Sequence, residues 1–176
     1  MGSEMCIRDS LKRFIDSGIL EPQTTKPSVA PSMDIQIPSS LERLIYDFES
    51  DASSFYQDLN ENKKATLSEG NREKLQHIFS SQTFDDEKIK EEIITFNDLF
   101  NIVFDPHTVT SLRMAIDITS NVPTVAVATA SSEKFSNVIS PLIEDFPGSE
   151  IDQDEDFETL EPQKDQIIES IKAKFS

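Results

Sequence analysis

Apolar residues recur every three or four positions along most of this chain, and that spacing predicts a helix-rich protein. The longest run opens at Ser39, where Glu42 three residues later suggests a capping box. Its apolar positions are Leu41, Leu44, Ile45, Phe48, Ala52, Phe55, Tyr56 and Leu59. We therefore expect one helix with this face buried, followed by a polar loop over residues 60–70.

Shorter segments show the same helical spacing. Residues 11–19 are amphipathic, and Gly18 stands where a helix C-cap glycine is expected. Residues 21–32 are rich in Pro, Thr and Ser and indicate an extended connector. Further helices are predicted over 71–81, over 86–97 with Asp85 as N-cap, over 108–120 with Thr108 as a possible cap, and over 162–174 with Ile167, Ile168, Ile171 and Phe175 inward.

Residues 124–129 carry the one convincing strand pattern, Thr-Val-Ala-Val-Ala-Thr. The segment is apolar on both faces, which is typical of a strand covered by helices in a mostly parallel sheet. Residues 101–104 are the only other strand candidate. Because so few strands cannot complete a sheet, their neighbours must come from other sequence. We therefore predict an α/β fold that is helix-rich and has an incomplete sheet.

The net charge of −17 excludes several classes of function. Such a chain repels phosphate backbones and anionic lipid, so we expect no nucleic-acid or membrane partner. The single cysteine, Cys6, and two histidines argue against a disulfide framework and against a zinc site, and they fit the cytoplasm. Residues 144–161 contain acidic side chains but no lysine or arginine, which indicates a solvated acidic connector, and they lack the residue order of a calcium loop.

The four glycines are far apart, at Gly2, Gly18, Gly70 and Gly148. A phosphate-binding loop needs clustered glycines so that backbone N–H groups can approach the ligand. This chain therefore cannot supply such a loop itself.

Three short stretches contain the candidate chemistry. They are 31–37 (Pro-Ser-Met-Asp-Ile-Gln-Ile), 104–108 (Phe-Asp-Pro-His-Thr) and 128–135 (Ala-Thr-Ala-Ser-Ser-Glu-Lys-Phe). Each has an ordinary structural explanation: Asp34 as a buried cap or ion-pair partner, Thr108 as a helix cap, and Thr129 as the end of a core strand. In this order, however, the three stretches resemble the C-terminal part of threonine synthase, and the resemblance spans roughly residues 11–175.

The resemblance implies a pyridoxal 5'-phosphate (PLP) enzyme of the tryptophan-synthase-like fold type. Members of this family are lyases of amino-acid biosynthesis that convert O-phospho-L-homoserine and water to L-threonine and phosphate. The family's Schiff-base lysine, in a Phe-Lys-Asp segment, and its glycine-rich phosphate loop have no counterpart here. We therefore expect a fragment that is inactive alone.

Site residues follow from the same resemblance. Thr129 matches the family threonine that lies against the pyridine nitrogen of PLP, and His107 and Thr108 are expected near the pocket. Ser131 and Ser132 replace a family His and Pro, which puts full activity in doubt. Lys134 is expected to be a surface lysine, because the cofactor lysine belongs to another segment.

The resulting division of the chain has four parts. Residues 1–10 match nothing in the family and are interpreted as a non-native leader. Residues 11–143 form the C-terminal part of the PLP-binding domain, with a helical segment over 40–100. The acidic connector 144–161 and a C-terminal helix over 162–176 follow. Two alternatives stay open: a related PLP-dependent phospho-amino-acid lyase, and a non-catalytic acidic helical interaction module.

Overall fold

Helices dominate the computed structural model, which describes residues 3–6, 10–118, 121–147 and 163–174. The helices are α1 (Ser10–Ser17), α2 (Leu41–Glu49), α3 (Ser53–Asn62), α4 (Glu69–Ile78), α5 (Asp86–Phe100), α6 (Pro106–Asp117), α7 (Ser136–Ile139) and α8 (Lys164–Lys174). The strands are β1 (Ser3–Cys6), β2 (Ile19–Leu20), β3 (Ala65–Thr66) and β4 (Phe79–Gln82), and Pro31–Met33 and Ser132–Phe135 are 3-10 turns. Within these ranges no helix has the length and apolar character needed to cross a membrane.

The first core forms around α1. This helix buries Leu11, Phe14 and Ile15 as its spacing predicts, and the ring of Phe14 meets that of Phe55 edge-on at 6.1 Å between centroids. Gly18 ends the helix at φ +73°, and its N–H donates to the Phe14 carbonyl at 2.7 Å. The predicted C-cap glycine is thus confirmed, because this left-handed backbone conformation favours glycine.

The long helix predicted after Ser39 is wrong in its continuity but right in its burial. Two helices, α2 and α3, replace it, and the side chain of Ser40 at the start of α2 makes no capping hydrogen bond. The break lies at Ser50, whose φ of 62° is left-handed, and the Asp51 carboxylate accepts from the Ser53 N–H at 2.9 Å. This local side-chain bond competes with the helical backbone ladder and restarts the helix.

The described strands form two separate two-stranded sheets. β2 follows α1, just before the predicted connector, and pairs antiparallel with β3, which lies in the predicted loop 60–70. β4 occupies the end of the helix predicted over 71–81. β1 pairs parallel with β4, and Ser10 is buried in α1, where its hydroxyl donates to the Gln36 carbonyl at 3.1 Å. Residues 3–6 and Ser10, from the segment 1–10, therefore form hydrogen bonds with other described parts of the chain. That the segment is a non-native leader stays a prediction.

The second core lies between α5, α6 and the segments around them. Asp85 caps α5 as predicted, accepting from the Lys88 N–H at 2.7 Å. The buried side chains of this core are Ala30, Met33, Phe84, Ile89, Ile93, Phe96, Val109, Met114 and Ile139. Met33 belongs to the first candidate stretch, and the partly buried Phe104 and Phe135, from the other two stretches, pack against the same core. This core therefore brings the three stretches together.

The strand predicted over 124–129 does not form. Residues 121–130 contain no regular structure, and Val125 and Val127 are 82% and 64% exposed. The alternative strand over 101–104 is absent too. A strand requires a hydrogen-bonded neighbour, and no described segment pairs with either stretch.

The end of the chain departs from the prediction as well. In α8, Ile167 and Ile168 are 39% and 36% exposed, so their expected inward orientation is wrong. Pro162 and the side chains of Ile171 and Phe175 lie outside the described residues, as does the acidic stretch from 148 onward.

Candidate functional site

Asp105 is the N-cap of α6, the helix on which the candidate site is built. Its Oδ1 accepts from the His107 N–H at 3.0 Å and the Thr108 N–H at 3.4 Å, and Pro106 occupies the first helical position, where no N–H is needed. The prediction that Thr108 caps this helix is wrong, since Thr108 lies three residues inside the cap. The Asp-Pro pair was the sequence signal for the true cap.

His107 connects all three candidate stretches. Its Nδ1 lies 3.1 Å from Asp105 Oδ1, and its Nε2 accepts from the Ser32 N–H at 3.2 Å. The ring meets Phe135 edge-on, with centroids 5.1 Å apart at an interplanar angle of 63°. Residues from 31–37, 104–108 and 128–135 therefore meet at one imidazole.

Thr108 joins Asp105 to the third stretch. Its buried hydroxyl donates to Asp105 Oδ2, and its oxygen accepts from the Thr129 N–H at 3.4 Å. Thr129 itself is exposed, and its hydroxyl has no hydrogen-bond partner among the described residues. We call Asp105, His107 and Thr108 the Asp105 cluster, and Thr129 lies directly beside it.

The Asp105 carboxylate is held in its ionised form. Burial raises its pKa, but hydrogen bonds from the side chains and backbone N–H groups of His107 and Thr108 outweigh burial and lower the pKa below its ordinary value. Asp105 is 1% exposed, so the cluster contains a buried negative charge. No chemistry was predicted for Asp105 from the sequence, although it holds the central position of the cluster.

The surroundings of the cluster are mainly structural. Asp34 is buried and accepts from the Ser28 N–H at 2.8 Å and the Ser28 hydroxyl at 2.7 Å, so its carboxylate holds the chain on the two sides of the 3-10 turn Pro31–Met33 together. The Thr110 hydroxyl donates to the His107 carbonyl at 2.7 Å within α6.

The turn after Thr129 contains the two departures from the family motif. Ser131 precedes the 3-10 turn Ser132–Phe135 but makes no side-chain cap, and only its carbonyl accepts, from the Lys134 N–H at 3.3 Å. Lys134 is exposed, as expected for a surface lysine. Among the described residues no group of three or more His, Cys, Asp or Glu side chains could hold a metal ion.

The described part of the chain also has a hollow away from these residues. It is an open depression of about 390 Å³ between α2, α4 and β4, and Leu44, Phe48 and Asn71 contribute to its wall. It contains no residue of the Asp105 cluster.

Solved structures with this architecture define the class of fold. The chain superposes on the crystal structure of PLP-bound threonine synthase from Brucella melitensis with a TM-score of 0.71 and 27% identity, over 78% of this chain and 31% of that one. Yeast threonine synthase matches with a TM-score of 0.67 and 23% identity, over 83% and 33%, which is a likeness of fold. The predicted fold class, a helix-rich portion of an α/β PLP-enzyme fold with an incomplete sheet, is confirmed.

The particular family is indicated by sequence. The chain is 28% identical to the threonine synthase of Pseudomonas aeruginosa over 137 residues, which is 74% of this chain and 29% of that protein. No protein-family model matches the sequence. The resemblance to threonine synthase that the three stretches predicted is confirmed, and the chain spans about a third of the length of these relatives.

Proposed function

We propose that this chain is part of a PLP-dependent threonine synthase and forms the side of the active site that faces the pyridine ring of the cofactor. The observation that carries the proposal is the meeting of three separate stretches at His107 and Thr108, with Thr129 beside them. The intact enzyme would convert O-phospho-L-homoserine and water to L-threonine and phosphate in the cytoplasm.

The residues present fit one edge of PLP. Thr129 offers an exposed hydroxyl without a partner among the described residues, while its backbone N–H is held by Thr108. A hydroxyl can hydrogen-bond an unprotonated ring nitrogen without imposing the charge that a carboxylate partner would induce. When bound, PLP supplies the electron sink for the chemistry at the substrate's carbon atoms.

The fit does not extend to the phosphate or the aldehyde of the cofactor. Gly18 and Gly70, the described glycines, lie far apart in the sequence, and Lys134 is an exposed lysine on a 3-10 turn. These contacts would come from the rest of the enzyme. What this chain contributes is orientation, because Thr108 fixes the backbone from which the Thr129 side chain extends.

His107 and Thr108 act through their position in this proposal. Their hydrogen bonds to the buried Asp105 carboxylate order the start of α6, directly beside the segment that carries Thr129. Ser131 and Ser132 stand on the same segment, where the family has an imidazole and a proline. Because of these two serines, a related PLP-dependent phospho-amino-acid lyase is the alternative function.

The test is a product assay on the intact protein that contains this chain. With PLP and O-phospho-L-homoserine, we expect phosphate and threonine to appear in equal amounts. Phosphate without threonine would contradict the proposal and favour the related lyase. Release of neither product, with no PLP bound, would favour the acidic interaction module.

A further inference from the structure

We propose that Asp105 is a positioning residue that sets both the tautomer of His107 and the direction of the Thr108 hydroxyl. Through that hydroxyl it fixes the backbone at Thr129. The structural part of this inference rests on the hydrogen bonds of the Asp105 cluster alone. Its consequence for turnover rests on the proposed function.

Asp105 does more than cap a helix. Asp85 shows what capping alone requires, because it is exposed and accepts from the Lys88 N–H at the start of α5. Asp105 makes the equivalent backbone bonds and also accepts from the His107 ring and the Thr108 hydroxyl, while 99% of its surface is buried. Three of these contacts reach Oδ1 and one reaches Oδ2, so both carboxylate oxygens are engaged.

The tautomer of His107 is fixed from both sides. A neutral imidazole has one donor and one acceptor nitrogen. An ionised Asp105 can only accept, so the proton lies on Nδ1, which is 3.1 Å from Oδ1. The Ser32 N–H can only donate, so the lone pair lies on Nε2 at 3.2 Å. Reversing the tautomer would break both contacts.

The Thr108 hydroxyl has a single hydrogen, which it donates in the hydrogen bond to Asp105 Oδ2. Its lone pairs are therefore available to the Thr129 N–H at 3.4 Å. The backbone N–H of Thr129 is thus linked to Asp105 by two successive hydrogen bonds. If the hydroxyl turned, its hydrogen would face the Thr129 N–H and the link would be lost.

The variant Asp105→Asn separates positioning from capping. An asparagine oxygen caps helices as well as a carboxylate does. In the place of Oδ1 it keeps the cap and the contact with His107 Nδ1, whereas the NH₂ group in the place of Oδ2 cannot accept from the Thr108 hydroxyl. The matched control is Asp85→Asn, where only a backbone N–H is accepted. Both variants should fold, since each keeps its helix cap.

The first measurement is nitrogen NMR of the full chain with labelled imidazoles. The chain has two histidines, and His77→Gln removes the exposed one and assigns the spectrum. We expect the Nδ1–H tautomer at His107 in the unaltered chain, in Asp85→Asn and in Asp105→Asn, which keeps the acceptor at Oδ1. Asp105→Ser, whose shorter side chain can cap the helix but removes the carboxylate, should give a mixture of the two tautomers. An Nε2–H signal in the unaltered chain, or an unchanged tautomer in Asp105→Ser, would overturn the inference.

The second measurement is turnover by the intact enzyme. Asp105→Asn should lower kcat about tenfold or more while KM changes little, because orientation at the cofactor is lost rather than substrate binding. Asp85→Asn should leave both unchanged. A normal kcat in Asp105→Asn would refute the positioning role. If the unaltered enzyme makes no threonine, the proposed function fails, and the tautomer alone decides the inference.

Discussion

Replacing Thr108 by valine measures how strongly the Asp105 cluster holds α6 in place. Valine keeps the branched shape but removes the hydroxyl that donates to the buried Asp105 carboxylate. Hydrogen bonds to charged groups are worth about 1.5–3 kcal/mol, and the abandoned carboxylate oxygen stays desolvated. We expect Thr108→Val to lower the free energy of unfolding of the chain by about 2–3 kcal/mol.

The control is Thr110→Val, two residues along the same helix. Thr110 is 1% exposed, close to the 2% of Thr108, but its hydroxyl donates to a neutral carbonyl, that of His107, at 2.7 Å. A neutral bond of this kind contributes about 0.5–1.5 kcal/mol. The two variants therefore make the same chemical change at nearly equal burial, and they differ in the charge of the acceptor.

Urea unfolding followed by circular dichroism is the assay. With a slope of about 2 kcal/mol per molar urea, Thr108→Val should lower the midpoint by about 1 M and Thr110→Val by about half as much. In an Asp105→Asn background the penalty of Thr108→Val should shrink, because the charged partner is gone. If Thr108→Val costs no more than Thr110→Val, the charged hydrogen bond does not stabilise the cluster and the reasoning is refuted.

Three further predictions concern the chain alone. The pKa of Asp105 is lowered in the folded chain, so the stabilisation by its ionised form is complete above the unfolded pKa of about 3.9 and is lost as pH falls through the folded value. Asp105→Asn should therefore reduce the fall of the urea midpoint at acid pH, and an unchanged fall would contradict this. Ser50→Gly should raise the free energy of unfolding by up to about 1 kcal/mol, because φ of 62° is strained for serine, and a loss would show that Ser50 is unstrained. The chain should self-associate at high concentration in sedimentation velocity, and Val125→Asp with Val127→Asp should suppress this, whereas persistent association would place the contact elsewhere.

Local sequence signals predicted most helices of the described fold. The spacing around Phe14, the glycine at position 18 and the cap at Asp85 all act within a few residues, so they can be recognised without tertiary information. The break between α2 and α3 was missed because the apolar spacing continues across it. There the competing bond from Asp51 to the Ser53 N–H decides the backbone.

The strand over 124–129 failed for a different reason. Its composition favours a strand, but a strand is defined by hydrogen bonds to a neighbour that local sequence does not specify. Residues of α6 form hydrogen bonds with this segment, since the Thr129 N–H donates to the Thr108 hydroxyl oxygen and the Ser111 hydroxyl donates to the Val127 carbonyl, but no described strand pairs with it. Partners from outside the chain would be needed to complete the sheet.

The three stretches of the candidate site were predicted from the sequence, but their meeting at a single position in the fold was not. Nothing in the spacing between Ser32, His107 and Phe135 shows that they meet at one ring, because the contacts span up to 75 positions. Asp105 was missed because its Asp-Pro signal indicates a cap. The additional bonds to the side chains of His107 and Thr108 appear only in the folded structure.

The central claim is that Thr129 presents its hydroxyl to the pyridine ring of PLP, and kcat of Thr129→Ala in the intact enzyme tests it most directly. The loss of one hydrogen bond of about 1–1.5 kcal/mol predicts a kcat about tenfold lower with little change in KM and with PLP still bound. Thr129→Ser is the matched control, because it keeps the hydroxyl and should retain most activity. Unchanged turnover in Thr129→Ala, with the cofactor bound, would contradict the account and leave Thr129 as an ordinary exposed residue beside α6.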